Sequence, residues 1–341
     1  MKQQLEKLMN QKDLSIEEMK QATEHCFTQD ITDTEIASLL TALRAKGETA
    51  DEIAGIVEVI RAESQSIPTS LPHVMDNCGT GGDQSHSFNI STTAAFVIAG
   101  AGVTIAKHGN RSISSKTGSA DVLEHLGVSL SFQPEKTDEI LRENGIAFLY
   151  APHVHPNLKR FMKVRKELGL PTILNLIGPL TNPVALDSQL LGIYRRDMLA
   201  MMAESLNKLG RRRALVVNGA GYMDEASLAG DNHLVLLENG KTSPFTIHPE
   251  ELGLPVHSNE HIRGGDAKDN AVILQNVLQG KQGPYLDTVL LNAGLGLFAN
   301  GTAATINEGV KFAKESIASG AALDKLKRLM EYSKQIPTEV L

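Results

Sequence analysis

Asp76-Asn77-Cys78-Gly79-Thr80-Gly81-Gly82-Asp83, continued by Asn89-Ile90-Ser91-Thr92-Thr93, is the stretch that decides how this chain folds. It follows an apolar pair, Val74-Met75, that suits a buried strand, and it runs into a segment that suits a helix start. Strand, glycine turn and helix in that order put free amides and hydroxyls at a helix N-terminus, a ready site for phosphate or pyrophosphate. An ordinary glycine-rich turn with a Ser/Thr N-cap has the same composition; the Asn89-x-Ser91-Thr92 run favours the phosphate reading. Two better-known phosphate motifs are not met. Gly79-Thr80-Gly81-Gly82-Asp83-Gln84 lacks the third glycine of the dinucleotide fingerprint, and no glycine precedes Lys116 as in a Walker A loop.

Upstream, the first seventy residues read as helices. Ser15 with Glu18, Thr32 with Glu35, and Thr49 with Glu52 match the capping box that satisfies the free amides of a helix start. Ile36, Leu39, Leu40 and Leu43, then Ile53, Ile56, Val57 and Ile60, fall at helical spacing on either side of Gly47. A unit this small has too little core of its own, so its apolar stripes need the rest of the chain or a second subunit. Ser64 to Pro72 reads as a linker.

Downstream, short apolar runs suit buried strands: Val103-Thr104-Ile105, Ile146 to Leu149, Ala214 to Val217, Leu234 to Leu237 and Val289-Leu290-Leu291. Helix-length segments such as Thr117 to Leu126 and Arg196 to Leu209 separate them, and Thr302 to Met330 is helical by composition. Asn239-Gly240 is a hairpin turn, so an antiparallel excursion is expected there. The fold class is α/β: a small all-helical N-terminal domain over 1–70, with a helical contribution from about 160–190, and a larger α/β domain over 72–341 with a mostly parallel central sheet.

Composition narrows the class. With 341 residues, 41% hydrophobic and 21% charged, the chain is globular and long enough for two domains. A formal net charge of -7 argues against a protein devoted to nucleic-acid backbone. Cys26 and Cys78 are too far apart for a metal-ligand spacing, which fits a reduced, cytoplasmic setting. The opening Met-Lys-Gln-Gln-Leu-Glu-Lys is no secretory signal, and no apolar tract reaches membrane length.

Three further clusters can carry chemistry. Lys107-His108-Gly109-Asn110-Arg111, running on to Ser119, follows a strand and precedes a helix. It therefore belongs at the carboxyl end of the sheet, where open α/β folds place ligands. Its donors suit a polyanionic ligand, and a solvated basic loop would have a similar composition. Asp224-Glu225, in the glycine-rich run from Asn218 to Ser227, suits Mg²⁺, which takes one or two carboxylates together with substrate phosphates; an exposed acidic turn is the plain alternative. Arg165 precedes Gly178-Pro179-Leu180-Thr181-Asn182-Pro183, a rigid crossing suited to a cleft wall, and could fork onto a carboxylate or lie on the surface. Cys78 has no activating base beside it and reads as a small buried residue.

Taken together, the Gly79-to-Asp83 turn, the run from Lys107 to Glu124, Gly178 to Pro183, and Asp224-Glu225 resemble the anthranilate phosphoribosyltransferase family in order and spacing, over essentially the whole chain. The resemblance implies transfer of the phosphoribosyl group of 5-phosphoribosyl 1-diphosphate to anthranilate, in tryptophan biosynthesis, with two Mg²⁺ ions per subunit. It implies that Gly79, Gly82, Asp83, Ser87, Asn89, Ile90, Ser91, Thr92, Lys107, Gly109, Asn110, Arg111, Ser112, Ser114, Ser115 and Ser119 hold the diphosphate substrate. Gly79, His108, Asn110, Arg165 and Gly178 would meet anthranilate, and Ser91, Asp224 and Glu225 the metal. It also implies a homodimer through the helical domain, with no nucleic-acid or membrane partner.

Two stretches depart from the family pattern, Pro171 to Asn175 and Asn218, and both bear on pocket shape. The competing readings are a nucleoside phosphorylase of the same fold, a non-catalytic nucleic-acid-binding relative, and a transferase acting on another aromatic amine. The first differs in the Lys107-to-Glu124 run, and the second predicts a basic surface and lost acids.

Overall fold

A computed structural model describes residues 1–111 and 116–335. The N-terminal helices are α1 (Lys2–Met9), α2 (Ile16–His25), α3 (Asp33–Lys46) and α4 (Ala50–Ala62). All three capping boxes form: Ser15 Oγ accepts from the Glu18 amide at 3.3 Å, Thr32 Oγ1 from Glu35 at 3.2 Å and Thr49 Oγ1 from Glu52 at 3.3 Å. Each glutamate accepts in return from the cap residue's own N–H, so the start of each helix is fixed locally. The expected stripes of α3 and α4 are buried throughout.

After the irregular stretch of residues 65–72 come β1 (Met75–Gly79), α5 (Ile90–Gly100), β2 (Ile105–Gly109), α6 (Ser119–His125), α7 (Pro134–Asn144), β3 (Ile146–Tyr150) and α8 (Ala151–Val154). The chain continues through α9 (Lys159–Leu168), α10 (Leu174–Ile177), β4 (Ser188–Gly192), α11 (Leu199–Lys208), β5 (Arg213–Asn218), β6 (Asn232–Glu238) and β7 (Lys241–Ile247). It closes with α12 (Ala267–Leu278), α13 (Pro284–Asn300), α14 (Ile306–Ala318) and α15 (Ala321–Lys334).

The seven-stranded sheet has the order β3-β2-β1-β4-β5-β6-β7. Strands β3, β2, β1, β4 and β5 are parallel, and β6 runs antiparallel to both of its neighbours, β5 and β7. The hairpin turns at Asn239-Gly240, whose φ values of 50° and 78° are those of the primed turn that Asn-Gly favours. From β1 the chain steps outward through β2 to β3, then returns to the other side of β1 with β4, paired from Met75–Ser188 to Gly79–Gly192. The β1/β4 boundary is thus a topological switch point, and a crevice opens beyond its carboxyl ends.

Two apolar cores flank the sheet. One lies among α5, α13, α14 and α15. The other joins α2, α3 and α4 to Phe161 and Val164 of α9, Met202 and Leu206 of α11, and Val216 and Val235 of the sheet. The apolar stripes of the helical unit are therefore covered largely by their own chain. Two strand expectations need correction. Val289-Leu290-Leu291 lies inside α13, a helix buried on nearly all sides, where no periodicity separates helix from strand. Ser188–Gly192 forms β4 although it opens with two polar residues, because both side chains are buried and satisfied. Among the described residues no helix is long and apolar enough to cross a membrane.

Candidate active site

A cleft of about 450 Å³ opens at the carboxyl ends of β1, β2, β4 and β5. It is lined by every site residue expected from the sequence that lies within the described residues; Ser112, Ser114 and Ser115 fall outside them. Thr117, Gly118, Ala151, Pro171, Leu174, Asn175, Pro179 and Tyr194 also line it and were not among the expected residues. Pro171 and Leu174 are the departing residues of the Pro171-to-Asn175 stretch, so that departure reaches the cleft wall.

The turn after β1 leads to α5, whose cap residue Asn89 makes no side-chain bond to the first helical turn. Its amide group binds elsewhere, to Thr117 O at 3.4 Å and to Asn270 Nδ2 at 2.9 Å. The plain Ser/Thr-capped turn is therefore not what forms here. Lys107, on β2 and only 3% exposed, threads beneath the turn, its Nζ donating to Asn77 O at 2.5 Å and to Ser91 Oγ at 3.4 Å. Arg111 lines the cleft with its fork already held, bidentate on Glu124 at 2.8 and 2.9 Å and on Asp121 at 2.8 Å.

The acid pair follows β5. Asp224 Oδ2 accepts from the Gly81 amide at 2.6 Å, and Glu225 Oε1 from the Ser91 amide at 3.2 Å. The pair is thereby docked against the glycine turn and the start of α5. Glycine is required for this contact: a Cβ on Gly79 would strike the Asp224 carboxylate, and one on Gly192 or Gly219 would strike the backbone carbonyl of Asp224 or Glu225. Burial, then the charges of Asp83 and Glu225, pushes the Asp224 carboxyl well above the usual carboxylate range. Burial first also pushes Glu225 up to about 7. Buried carboxylates that repel one another are the donor set a hard divalent cation relieves. Among the described residues no cluster of three or more His, Cys, Asp or Glu forms a self-contained metal centre. Substrate oxygens would have to complete the coordination of a cation held here.

Arg165 of α9 also lines the cleft, half-buried, its pKa lowered by desolvation, with no acidic partner among the described residues. Gly178, Pro179 and His108, whose residue is 4% exposed, line the cleft as well. Burial holds His108 down at about 3 and His155 at about 4; their ring centroids are 5.3 Å apart, edge to face. Both rings are neutral at pH 7, and His108 Nε2 has no hydrogen-bond partner among the described residues. Desolvation raises the Cys78 thiol to about 12, which removes it as a nucleophile. Asn218, the other departing position, stays out of the cleft; it accepts from Arg196 at 2.8 Å and donates to Ile193 O at 2.8 Å.

Two family models match the chain: a glycosyl transferase family helical bundle domain over residues 2–64 and a glycosyl transferase family a/b domain over 71–323. The anthranilate phosphoribosyltransferase of Oceanobacillus iheyensis is 56% identical over 98% of this chain and 99% of its own length. That of Exiguobacterium sibiricum is 58% identical with the same coverage. The chain belongs to the anthranilate phosphoribosyltransferase family. Among solved structures, the anthranilate phosphoribosyltransferase of Thermus thermophilus superposes with a TM-score of 0.92 at 39% identity, covering 97% of this chain and 99% of that one. The anthranilate phosphoribosyltransferase of Saccharomyces cerevisiae, in complex with PRPP and Mg, superposes with a TM-score of 0.89 at 29% identity, covering 97% of each chain. As an anthranilate phosphoribosyltransferase, this enzyme transfers the phosphoribosyl group of 5-phosphoribosyl 1-diphosphate (PRPP) to the anthranilate amine in tryptophan biosynthesis.

Proposed function

We propose that the cleft divides this transfer between two walls. PRPP lies against Gly79, Gly82, Asp83, Ser87, Asn89, Ile90, Ser91, Thr92, Lys107, Gly109, Asn110, Arg111 and Ser119, and anthranilate lies between Gly79, His108, Asn110, Arg165 and Gly178. Ser91, Asp224 and Glu225, with diphosphate oxygens, would hold two Mg²⁺ ions per subunit, and bound Mg²⁺ would supply positive charge at the leaving group. Cleavage of the C1–O bond leaves oxocarbenium-like charge on the ribose, as in glycoside chemistry. The aromatic amine of anthranilate is already neutral at pH 7, so it attacks without a strong general base. Orientation then supplies most of the acceleration, a regime in which positioning is worth ~7–11 kcal/mol.

The observation that carries this reading is the pairing of opposites in one cleft: buried acids short of a cation, and an arginine short of an anion, line the same space. The test is anthranilate fluorescence. The chain contains no tryptophan, so the signal stands free of indole background. Fluorescence should fall only when PRPP and Mg²⁺ are both present; loss without Mg²⁺ would overturn the metal assignment.

We place a homodimer contact on the helical unit, where Met9, Met162 and Leu170 are exposed at 73%, 38% and 61%. Sedimentation of a Met9→Lys/Met162→Lys variant as a monomer would support that placement, and an unchanged dimer would overturn it. A cytoplasmic setting fits the two unpaired cysteines.

A further inference from the structure

Arg61 closes the last turn of α4, in the helical unit, and the chemistry described above does not use it. Its Nε and Nη2 both donate to one backbone oxygen, that of Leu180, at 2.9 and 2.6 Å. Among the described residues it forms no ion pair; the nearby Glu58 is taken by Lys20 at 2.9 Å. A largely desolvated guanidinium is thus devoted to a single carbonyl, and desolvation lowers its pKa to about 10. That is an expensive arrangement, and it marks the carbonyl as one whose position matters.

Leu180 ends the turn Gly178–Leu180, whose Gly178 and Pro179 line the cleft that Arg165 also lines. The other two carbonyls of the turn are also held by side chains. Gly178 O accepts from Thr181 Oγ1 at 3.0 Å, and Pro179 O accepts from Gln189 Nε2 of β4 at 2.7 Å. Gln189 is oriented in turn by buried Arg211, whose Nε donates to Gln189 Oε1 at 3.2 Å. The sheet therefore grips the turn from one side and the helical unit from the other, with Arg61 as the helical unit's hold. The charge of Arg61 also acts on the His108 and His155 rings, where it opposes their protonation. Arg61 behind the turn and Arg165 on the cleft both carry positive charge, and neither forms an ion pair among the described residues.

We propose that Arg61 is a positioning and specificity-determining residue for the acceptor: it fixes the Gly178–Leu180 wall and adds positive potential behind it, selecting an aromatic amine that carries a carboxylate. This rests on the assignment of that wall to the acceptor. Only an arginine fork presents two N–H groups to one oxygen while keeping the charge; lysine keeps the charge and gives up the fork.

The experiment is steady-state kinetics of Arg61→Gln and Arg61→Lys, varying anthranilate at saturating PRPP and the reverse. Arg61→Gln should raise the anthranilate KM about tenfold, the factor that corresponds to 1.4 kcal/mol, with the PRPP KM within about twofold of wild type. Arg61→Lys should recover part of that loss. A purely structural role would lower the melting temperature and leave the ratio of the two KM values alone. Parallel rises in both KM values, or an unchanged anthranilate KM in both variants, overturn the proposal. If Arg61→Gln does not fold, Arg61→Lys decides alone: a raised anthranilate KM supports the proposal and a wild-type value overturns it. Arg165→Ala, measured alongside, separates the two readings. No rise there overturns the acceptor-wall assignment itself; a rise there with none at Arg61 overturns Arg61 alone.

Discussion

The Gly81 N–H donates to Asp224 Oδ2 at 2.6 Å, joining two residues 143 positions apart in the chain. The anion-binding turn and the acid pair are therefore one mechanical unit, and Gly79, Gly192 and Gly219 leave the space in which they meet.

Gly192→Ala tests that unit. Its Cβ would overlap the Asp224 backbone carbonyl, which cannot rotate away as a side chain can. The acid loop must shift, and a displacement of about 1 Å at a reacting centre costs roughly a hundredfold in rate. We expect kcat to fall by about that factor, with more Mg²⁺ needed for half-maximal rate, while anthranilate KM changes little. A wild-type Mg²⁺ titration curve would show that the loop does not position metal ligands.

Asp224→Asn combined with Glu225→Gln removes both carboxylates and keeps the shape. Mg²⁺-dependent turnover should disappear, read as product formed across a Mg²⁺ titration. Near-normal rates would remove both acids from the metal site.

Arg165→Ala should act on one substrate. Hydrogen bonds to charged groups are worth about 1.5–3 kcal/mol, so the anthranilate KM should rise roughly tenfold to a hundredfold. The PRPP KM should stay near wild type. Equal effects on both substrates would take Arg165 away from the carboxylate.

His155 makes stability depend on pH. Burial lowers its folded-state pKa to about 4 from an ordinary 6.5, so the unfolded chain binds the proton more readily. Its contribution is complete above pH 6.5, is lost as pH falls, and levels off below about pH 4. Relative to His155→Gln, the wild type should lose up to about 3 kcal/mol between those limits. Denaturant unfolding of both proteins across that range measures the difference, and parallel curves would contradict a buried neutral imidazole.

What could be read from the sequence was what local chemistry dictates. A capping box needs only residues three apart, and Asn-Gly fixes its own turn, so both were legible and both formed. The Asp224-Glu225 loop was legible because glycines flank it within a few residues. The strand Ser188–Gly192 was hidden because Ser188 and Gln189 are buried polar residues satisfied by Asn300 and Pro179, partners that only the fold brings near. Val289 to Leu291 misled for the opposite reason: a helix enclosed by neighbours has no polar face to betray its period. Tyr194 and Arg61 carry no local signal. One lies against the glycine turn only because β4 ends beside β1, and the other reaches Leu180 across 119 positions of chain.

The hairpin at the end of the sheet has a consequence for how copies of the enzyme meet. The outer strand Lys241–Ile247 carries Pro244 among exposed residues, and proline offers no N–H for another chain to pair with. At the far margin, Ile146–Tyr150 is buried beneath packed helices. Neither border of the sheet is an uninterrupted, open template, and both features disfavour self-association by strand addition and the fibrils it seeds.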